Sequence, residues 1–527
     1  MNLRRRQVLG GGLAALALAL LPRWRTQAAP AAALPFEPSR LATREQLWSW
    51  ITALNGFGSR LTGSEPHRRS IDFLASELQA MGLTVQRDTR HFRYWQATRW
   101  SLELEADGGH RTAVPVAFYF PYSGETPAQG VRAPLIHYAK APRSFEDAAG
   151  KIAVIDVDTP ALSRVFQYLL FTRKAGFPES ADFDGGVSTP LLGGTLKAAG
   201  VNLKAAAAAG VRGVVCVWRG CSEDNARHQY LPFTTPYQGC PALWVGPAAG
   251  EQLRAAAERG ATATLTLEAT VTDGAPTDTV YAVLPGRSDR ETIIVNTHTD
   301  GPNACEENGP AGVLALAKYF AGLPAASRQR TIVFALITGH FQLPQLGNGG
   351  QATTAWLKAH PELWDGKSGH ARAVAGLTLE HLGCMEWKDD EAREHFSATG
   401  EIEREMVYTT NATMQRVWSE ALAGRRQLRT LTLGPRNGTF FGEGQPLYQA
   451  GIPGVAMCPI PDYLCASPAD GDIGKLDAGL AHEQVTSFAR SLLQLDALPA
   501  AQIGAPEPQT VNLGGHVLRW LTGGGGH

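Results

Sequence analysis

Between residues 298 and 307 the chain reads HTDGPNACEE, placing His298, Asp300, Glu306 and Glu307 close together before it turns apolar beyond Pro310. Neutral imidazole and carboxylate oxygen are ordinary ligands of Zn²⁺, and a catalytic zinc keeps one coordination position open. Two other segments offer the same chemistry. His340 follows the run TIVFALITG, and Glu380 and His381 end AVAGLTL. Asp300, two residues after His298, is placed to hold that histidine's second ring N–H and fix its tautomer. A divalent metal is the chemistry these residue types imply. The competing reading is that they are polar loop residues satisfied by caps and ion pairs.

The elements around them supply a reason for convergence. TVYAVLPG, ETIIVNT, RTIVFALITG and AVAGLTLE are apolar runs of strand length separated by helical segments such as 311–322 and 351–359. Near-continuous apolar strands alternating with helices predict a mostly parallel or mixed α/β sheet covered on both faces. Ligands of such sheets bind beyond the carboxyl ends of the strands. His298, His340 and Glu380 are therefore delivered to one edge. Glu306 and Glu307 join them if a helix starts near Pro310, since proline suits the first helical turn. GIPGVAMCP adds a late strand, and 478–496 a closing helix.

Upstream, residues 44–83 read as helical, with Ile71, Phe73, Leu74, Leu78 and Met81 at helical spacing and Gly82 as a cap. LTVQRDT and RWSLELEA then read as two strands. From about 116 to 275 the texture changes to short buried strands and small-residue helices: GKIAVIDV, LKAAAAAGVRGVVCVW and CPALWVG. This predicts a domain inserted between 40–115 and 276–496, with 158–202 a further insertion forming a helical flap.

A chain of 527 residues exceeds one ordinary core. With 44% apolar and 18% charged residues and a net charge of −1, it is globular and has no nucleic-acid-binding character. Arg5 and Arg6, the weakly apolar run 8–21 and the small-residue TQAAPAAA read as a twin-arginine export signal over 1–30. That run falls short of the roughly 20 residues a spanning helix needs. The mature protein is expected to be periplasmic or extracellular, without an integral membrane segment. The tail 505–527 is expected to be flexible. Seven cysteines, an odd number with no CxxC, leave at least one thiol free and argue against a zinc knuckle.

Over about 40–495 the chain resembles the M28 zinc peptidases with an inserted protease-associated (PA) domain. GSRLTGSEPHRRSIDFLASELQAMG resembles the family's N-terminal helix with its R-x-x-GS opening. GKIAVIDV, KAAAAAGVRGVVCVW and GCPALWVG resemble the PA domain, and IIVNTHTDG the strand ending in H-x-D. PAGVLALAKYF and GIPGVAMCPIPDYLCASPADGDIGKLD resemble the later helix and the C-terminal segment.

The resemblance implies His298 as a zinc ligand and Asp300 as the residue orienting it. It puts Glu307 or Asn308 at the bridging-carboxylate position and Glu380 at a later ligand position. The family's paired glutamates are replaced by His340, Phe341 and Gln342, and its final histidine by Ala466. His340 thus stands as ligand or general base; if it is a ligand, Glu306 or Glu443 is left as base. Glu443 falls where the family has a substrate-side loop, and the stretch PDYLC offers Tyr463 to shape a pocket. The resemblance therefore implies an exported metal-dependent hydrolase of peptide or amide bonds with a remodelled, zinc-binding centre. The alternative is a non-catalytic exported binding protein on the same scaffold.

Overall fold

The computed structural model describes residues 33–105, 110–195, 201–342, 351–436 and 441–508. The expected signal at 1–30 lies outside these residues, as does the expected tail beyond 508.

Two helices form over 44–83, each opened by a side-chain cap. Thr43 accepts from the Gln46 N–H to start α1 (Arg44–Asn55), and Ser64 accepts from the His67 N–H to start α2 (Glu65–Ala80). α2 buries Ile71, Leu74 and Leu78 and ends where Gly82 takes φ +82°. The two strands expected next are one. β1 (Val85–Glu105) runs unbroken because it pairs antiparallel along its length with a later strand, absorbing two bulges.

β2 (Arg111–Val114) returns along β1, and β3 (Phe118–Tyr119) begins the inserted unit. There β4 (Val131–Tyr138), β5 (Ile152–Asp158), β7 (Gly213–Arg219) and β8 (Ala242–Val245) pair in parallel sequence, with β3 antiparallel on β8. The insertion 158–202 carries the helix Arg164–Leu170 and β6 (Thr172–Phe177). β6 leaves the inserted unit to pair with a strand at the far edge of the main sheet. The cause is apolar: Leu170, Phe171 and Phe183 pack with Tyr408, Leu431 and Leu433.

The expected boundary at 275 falls inside β9 (Thr262–Leu284). One end of this strand pairs with β4 at 262–265, and the other pairs with β11 (Arg330–Ile337) at 280–284. The hydrogen-bonded path is therefore continuous between the inserted and main units.

The main sheet sets β10 (Ser288–His298) parallel between β11 and β12 (Arg372–Leu379). After the hairpin β13 (Met385–Asp389) and β14 (Phe396–Ile402), β15 (Glu405–Thr409), β16 (Thr430–Gly434) and β17 (Gly454–Met457) complete it. β17 is parallel to β12 and antiparallel to β15. Side chains alternate across this sheet as the pleat requires. Ile293, Val295, Phe334 and Leu336 face a core shared with α1, α2, α3 (Gly309–Ala321) and α4 (Ala478–Ala497). Ile294, Val333 and Ala335 face Trp356, Leu357 and Leu447 on the other side. The carboxyl ends of β10, β11 and β12 consequently open at one edge. No helix among the described residues is long and apolar enough to cross a membrane.

The turn before α2 holds a buried histidine in one protonation state. His67 Nδ1 accepts from the Gly63 N–H at 3.2 Å. Its Nε2 lies 3.0 Å from Thr299 Oγ1, whose own proton goes to the Ile337 carbonyl. The network thus assigns a neutral ring protonated at Nε2. Burial lowers its pKa from 6.5 to about 4, against the pull of Asp300. Below pH 6.5 the unfolded chain takes up a proton that the folded chain refuses. This stability is present above 6.5 and is lost as pH falls towards about 4. Denaturant unfolding at pH 7 and pH 4 should show wild type losing roughly 3 kcal/mol more than His67→Asn, at 1.36 kcal/mol per pKa unit. Equal losses would remove the assignment.

Candidate metal centre

Three imidazoles and two carboxylates meet at the sheet edge. His298, Glu380 and His381 bring ligand atoms within 4.8 Å of one another, and so do His298, Glu306 and His340. All are buried except His340, which is partly exposed. The set is built so that every ring is fixed through the same nitrogen.

His298 ends β10, and its Nδ1 donates to the Asp300 carbonyl oxygen at 2.9 Å. His381 Nδ1 donates to the Pro459 carbonyl at 2.6 Å, and His340 Nδ1 to Glu443 Oε1 at 2.8 Å. With Nδ1 committed as donor, each Nε2 turns its lone pair toward the shared space. His298 Nε2, His381 Nε2 and Glu306 Oε2 are buried without a hydrogen-bond partner. His381 Nε2 lies 2.6 Å from Glu306 Oε2, and His340 Nε2 3.7 Å from Glu306 Oε1. The 2.6 Å contact counts as an ion pair yet misses hydrogen-bond alignment. Two electron-rich atoms aimed past one another at a common point are what a cation seat requires, so these residues fit a metal ion.

The electrostatics agree. Burial works against charging the rings, but carboxylates outweigh it. Glu443, with Glu306 and Glu380 behind it, raises His340 to about 10, and Glu306 with Glu380 raises His381 to about 9. Burial raises Glu306, yet the His381 ring holds it below its ordinary value. The seat prefers positive charge, whether proton or metal.

Several sequence expectations change. Asp300 orients His298 with its backbone carbonyl, whereas its carboxylate accepts from the N–H groups of Gly339, His340 and Phe341 at 3.0, 3.2 and 2.8 Å and from Thr62 Oγ1 at 2.5 Å. It anchors the turn that carries His340, because a turn presenting three N–H groups satisfies a carboxylate better than one ring N–H does.

Glu307, expected as a ligand, points away and forms a buried ion pair with Arg60, which donates a further hydrogen bond to the Glu307 carbonyl at 3.1 Å. Adjacent residues face different ways, and the cation claims one of them, so Glu306 occupies the cluster. Gly301 allows it: a Cβ there would come within 2.6 Å of Glu306 Cγ and 2.8 Å of Glu307 Cγ. Asn308 instead ties down the 380s loop, accepting from the Leu382 N–H at 2.7 Å and donating to its carbonyl at 2.8 Å.

Glu443, expected to face substrate, is fully buried, and its Oε2 accepts from the Thr353 N–H at 2.8 Å. Its own N–H donates to Glu380 Oε1 at 2.6 Å. Glu443 thus positions His340 and Glu380 together. Tyr463 is buried too, donating to the Met385 and Lys475 carbonyls at 2.9 and 3.1 Å. Glu380 and His340 do lie in the cluster.

Sequence reasoning named His381 without giving it a role. His381 takes φ +55°, and this left-handed step turns two consecutive side chains toward one site. His340 is sandwiched between His298, 4.2 Å away and nearly parallel, and Phe233 of the inserted unit at 5.6 Å.

No protein-family profile matches the sequence, and no curated protein does either. Solved structures do. A zinc aminopeptidase from Bacillus subtilis superposes with TM-score 0.57 at 15% identity, over 86% of this chain and 95% of that one. A peptidase M28 precursor from Shewanella amazonensis gives 0.58 at 16%, over 89% and 98%. An aminopeptidase from an Aneurinibacillus species gives 0.53 at 15%, over 90% and 97%. Identity this low carries the fold alone. The chain is an M28 zinc-peptidase-like protein in fold.

Proposed function

We propose that the chain is an exported, metal-dependent hydrolase of peptide or amide bonds, with a remodelled centre for one ion, probed first with Zn²⁺. The carrying observation is the common construction of His298, His340 and His381: each is anchored through Nδ1, with Nε2 aimed at a space shared with Glu306 and Glu380. An ion held by the three Nε2 atoms and Glu380 would supply Lewis-acid polarisation of the scissile carbonyl. One ion is the count that fits, since both ligand groups depend on the single Nε2 of His298.

The chain's own residues divide the remaining work. Glu443 is consumed by His340 and the Thr353 N–H and has no capacity left for a proton. Glu380 is engaged by the Glu443 N–H. Glu306, paired with the His381 ring through Oε2, is the remaining carboxylate facing the shared space and takes the proton from attacking water through Oε1. The aminopeptidases of shared fold support a peptide or amide substrate. We read the β3–β9 unit as the expected PA-like domain, roofing the centre through Phe233.

The test is metal content with turnover. Protein loaded with Zn²⁺, Mn²⁺ or Co²⁺ should retain about one ion per chain after dialysis and cleave members of a panel of aminoacyl and peptide amides. Glu306→Gln should keep the ion and lose about 10²–10⁴-fold in rate, the usual worth of a general base. No cleavage across the panel, with or without a retained ion, would select the binding-protein reading.

A further inference from the structure

Two buried cysteines face each other beside the candidate centre. Cys305 Sγ lies 3.0 Å from Cys384 Sγ, across 79 residues of sequence. This is inside the van der Waals contact of two sulfurs and about an ångström beyond the ~2.05 Å of a disulfide bond. Both side chains are closed off from solvent.

Their positions in the chain give the contact a consequence. Cys305 immediately precedes Glu306, in a turn where Asn303 Oδ1 accepts from the Cys305 and Glu306 N–H groups at 2.9 and 3.0 Å. Cys384 follows His381 by three residues and donates its thiol proton to the His381 carbonyl at 3.0 Å. Each thiol is thus built into the loop presenting one member of the Glu306–His381 contact.

We propose that Cys305 and Cys384 form a disulfide that ties the Glu306 loop to the His381 loop when the chain meets a disulfide-bearing oxidant. In the first step one cysteine thiolate attacks the oxidant's disulfide, forming a mixed disulfide and releasing one oxidant thiol. The second cysteine then displaces the other oxidant thiol and closes the Cys305–Cys384 bond. The two cysteines together lose two protons and two electrons, and the oxidant gains them as two thiols. Burial requires that this happens while the two loops are open. An exported chain enters the compartments where such bonds persist.

The bridge itself is independent of the proposed function; only its effect on a bound ion rests on that reading. A link holding the Glu306 and His381 loops in register acts as the outer-shell partners of metal ligands do, whose loss costs about 10–100-fold in metal affinity.

The experiment uses the purified full-length chain treated with oxidised glutathione, then unfolded, alkylated, digested and mapped by mass spectrometry. Expected are a linked pair of peptides containing Cys305 and Cys384, five alkylated cysteines of the seven, and an intact chain lighter by two hydrogens. Seven alkylated cysteines, or a link elsewhere, would overturn the bridge. Cys384→Ser should abolish the mass difference; if that variant does not fold, the wild-type map decides alone. In a second arm, Zn²⁺-loaded protein is challenged with a chelator before and after reduction. Reduction should speed ion loss about tenfold in wild type and leave Cys305→Ser/Cys384→Ser unchanged. Equal rates in wild type would overturn the coupling to the centre. A chain that never binds Zn²⁺ would defeat the functional reading, with the bridge still decided by the peptide map.

Discussion

His298→Ala is expected to yield a folded chain that retains no divalent ion and hydrolyses none of the amide panel. His298 is common to both groups of converging ligand atoms, so its removal leaves no complete set. A catalytic zinc held by few protein ligands tolerates no loss. The ring's structural contacts are its hydrogen bond to the Asp300 carbonyl and its stacking on His340, neither of which builds the sheet, so circular dichroism should change little. Glu443→Gln gives a graded comparison. It keeps the shape but removes the charge against His340 Nδ1, and should weaken ion binding about 10–100-fold without abolishing it. If His298→Ala binds zinc as wild type does, measured by dialysis and elemental analysis, the centre is not where these residues meet.

The largest effect on stability is expected at Arg60. Its guanidinium is paired with the Glu307 carboxylate, with both side chains essentially without solvent access. It also donates to the carbonyls of Leu54 and Glu307. Arg60→Met strands a buried carboxylate and should cost about 3–5 kcal/mol, as should Glu307→Met by stranding the guanidinium. The double variant should cost much less than the two together, because the isolated charge is gone. Urea denaturation of the three variants forms the cycle. Additive losses would mean that the pair is not coupled. The same variants probe position: the Arg60 and Gly301 backbones bond to each other in both directions, so Arg60 holds the loop presenting Glu306.

Much of the fold could be read from patterns with a local cause. Apolar stretches at 293–295, 331–337 and 373–379 make buried parallel strands, and the residues at their carboxyl ends reach one edge because parallel strands point the same way. By that reasoning His298, His340 and Glu380 share the edge, and their ligand atoms lie close together there. Gly82 marked the end of α2 through cap chemistry that needs no distant partner.

What the sequence could not decide was always a choice between near-equivalent groups, made by something far away in the chain. Glu306 and Glu307 are adjacent and chemically alike; Arg60, 247 residues from Glu307, takes one and leaves the other for the centre. The same acceptor chemistry serves two roles in Asp300, and the turn after β11 takes the carboxylate while His298 takes the carbonyl. His381 reads as a spare polar residue until its left-handed backbone turns it beside Glu380. β9 crosses the compositional boundary at 275 because its pairing partners, β4 and β11, lie on opposite sides of it. Local propensity and hydrophobic period determined the elements and their common edge. Long-range ion pairs and hydrogen bonds, which leave no periodic trace in the sequence, decided which side chains occupy it.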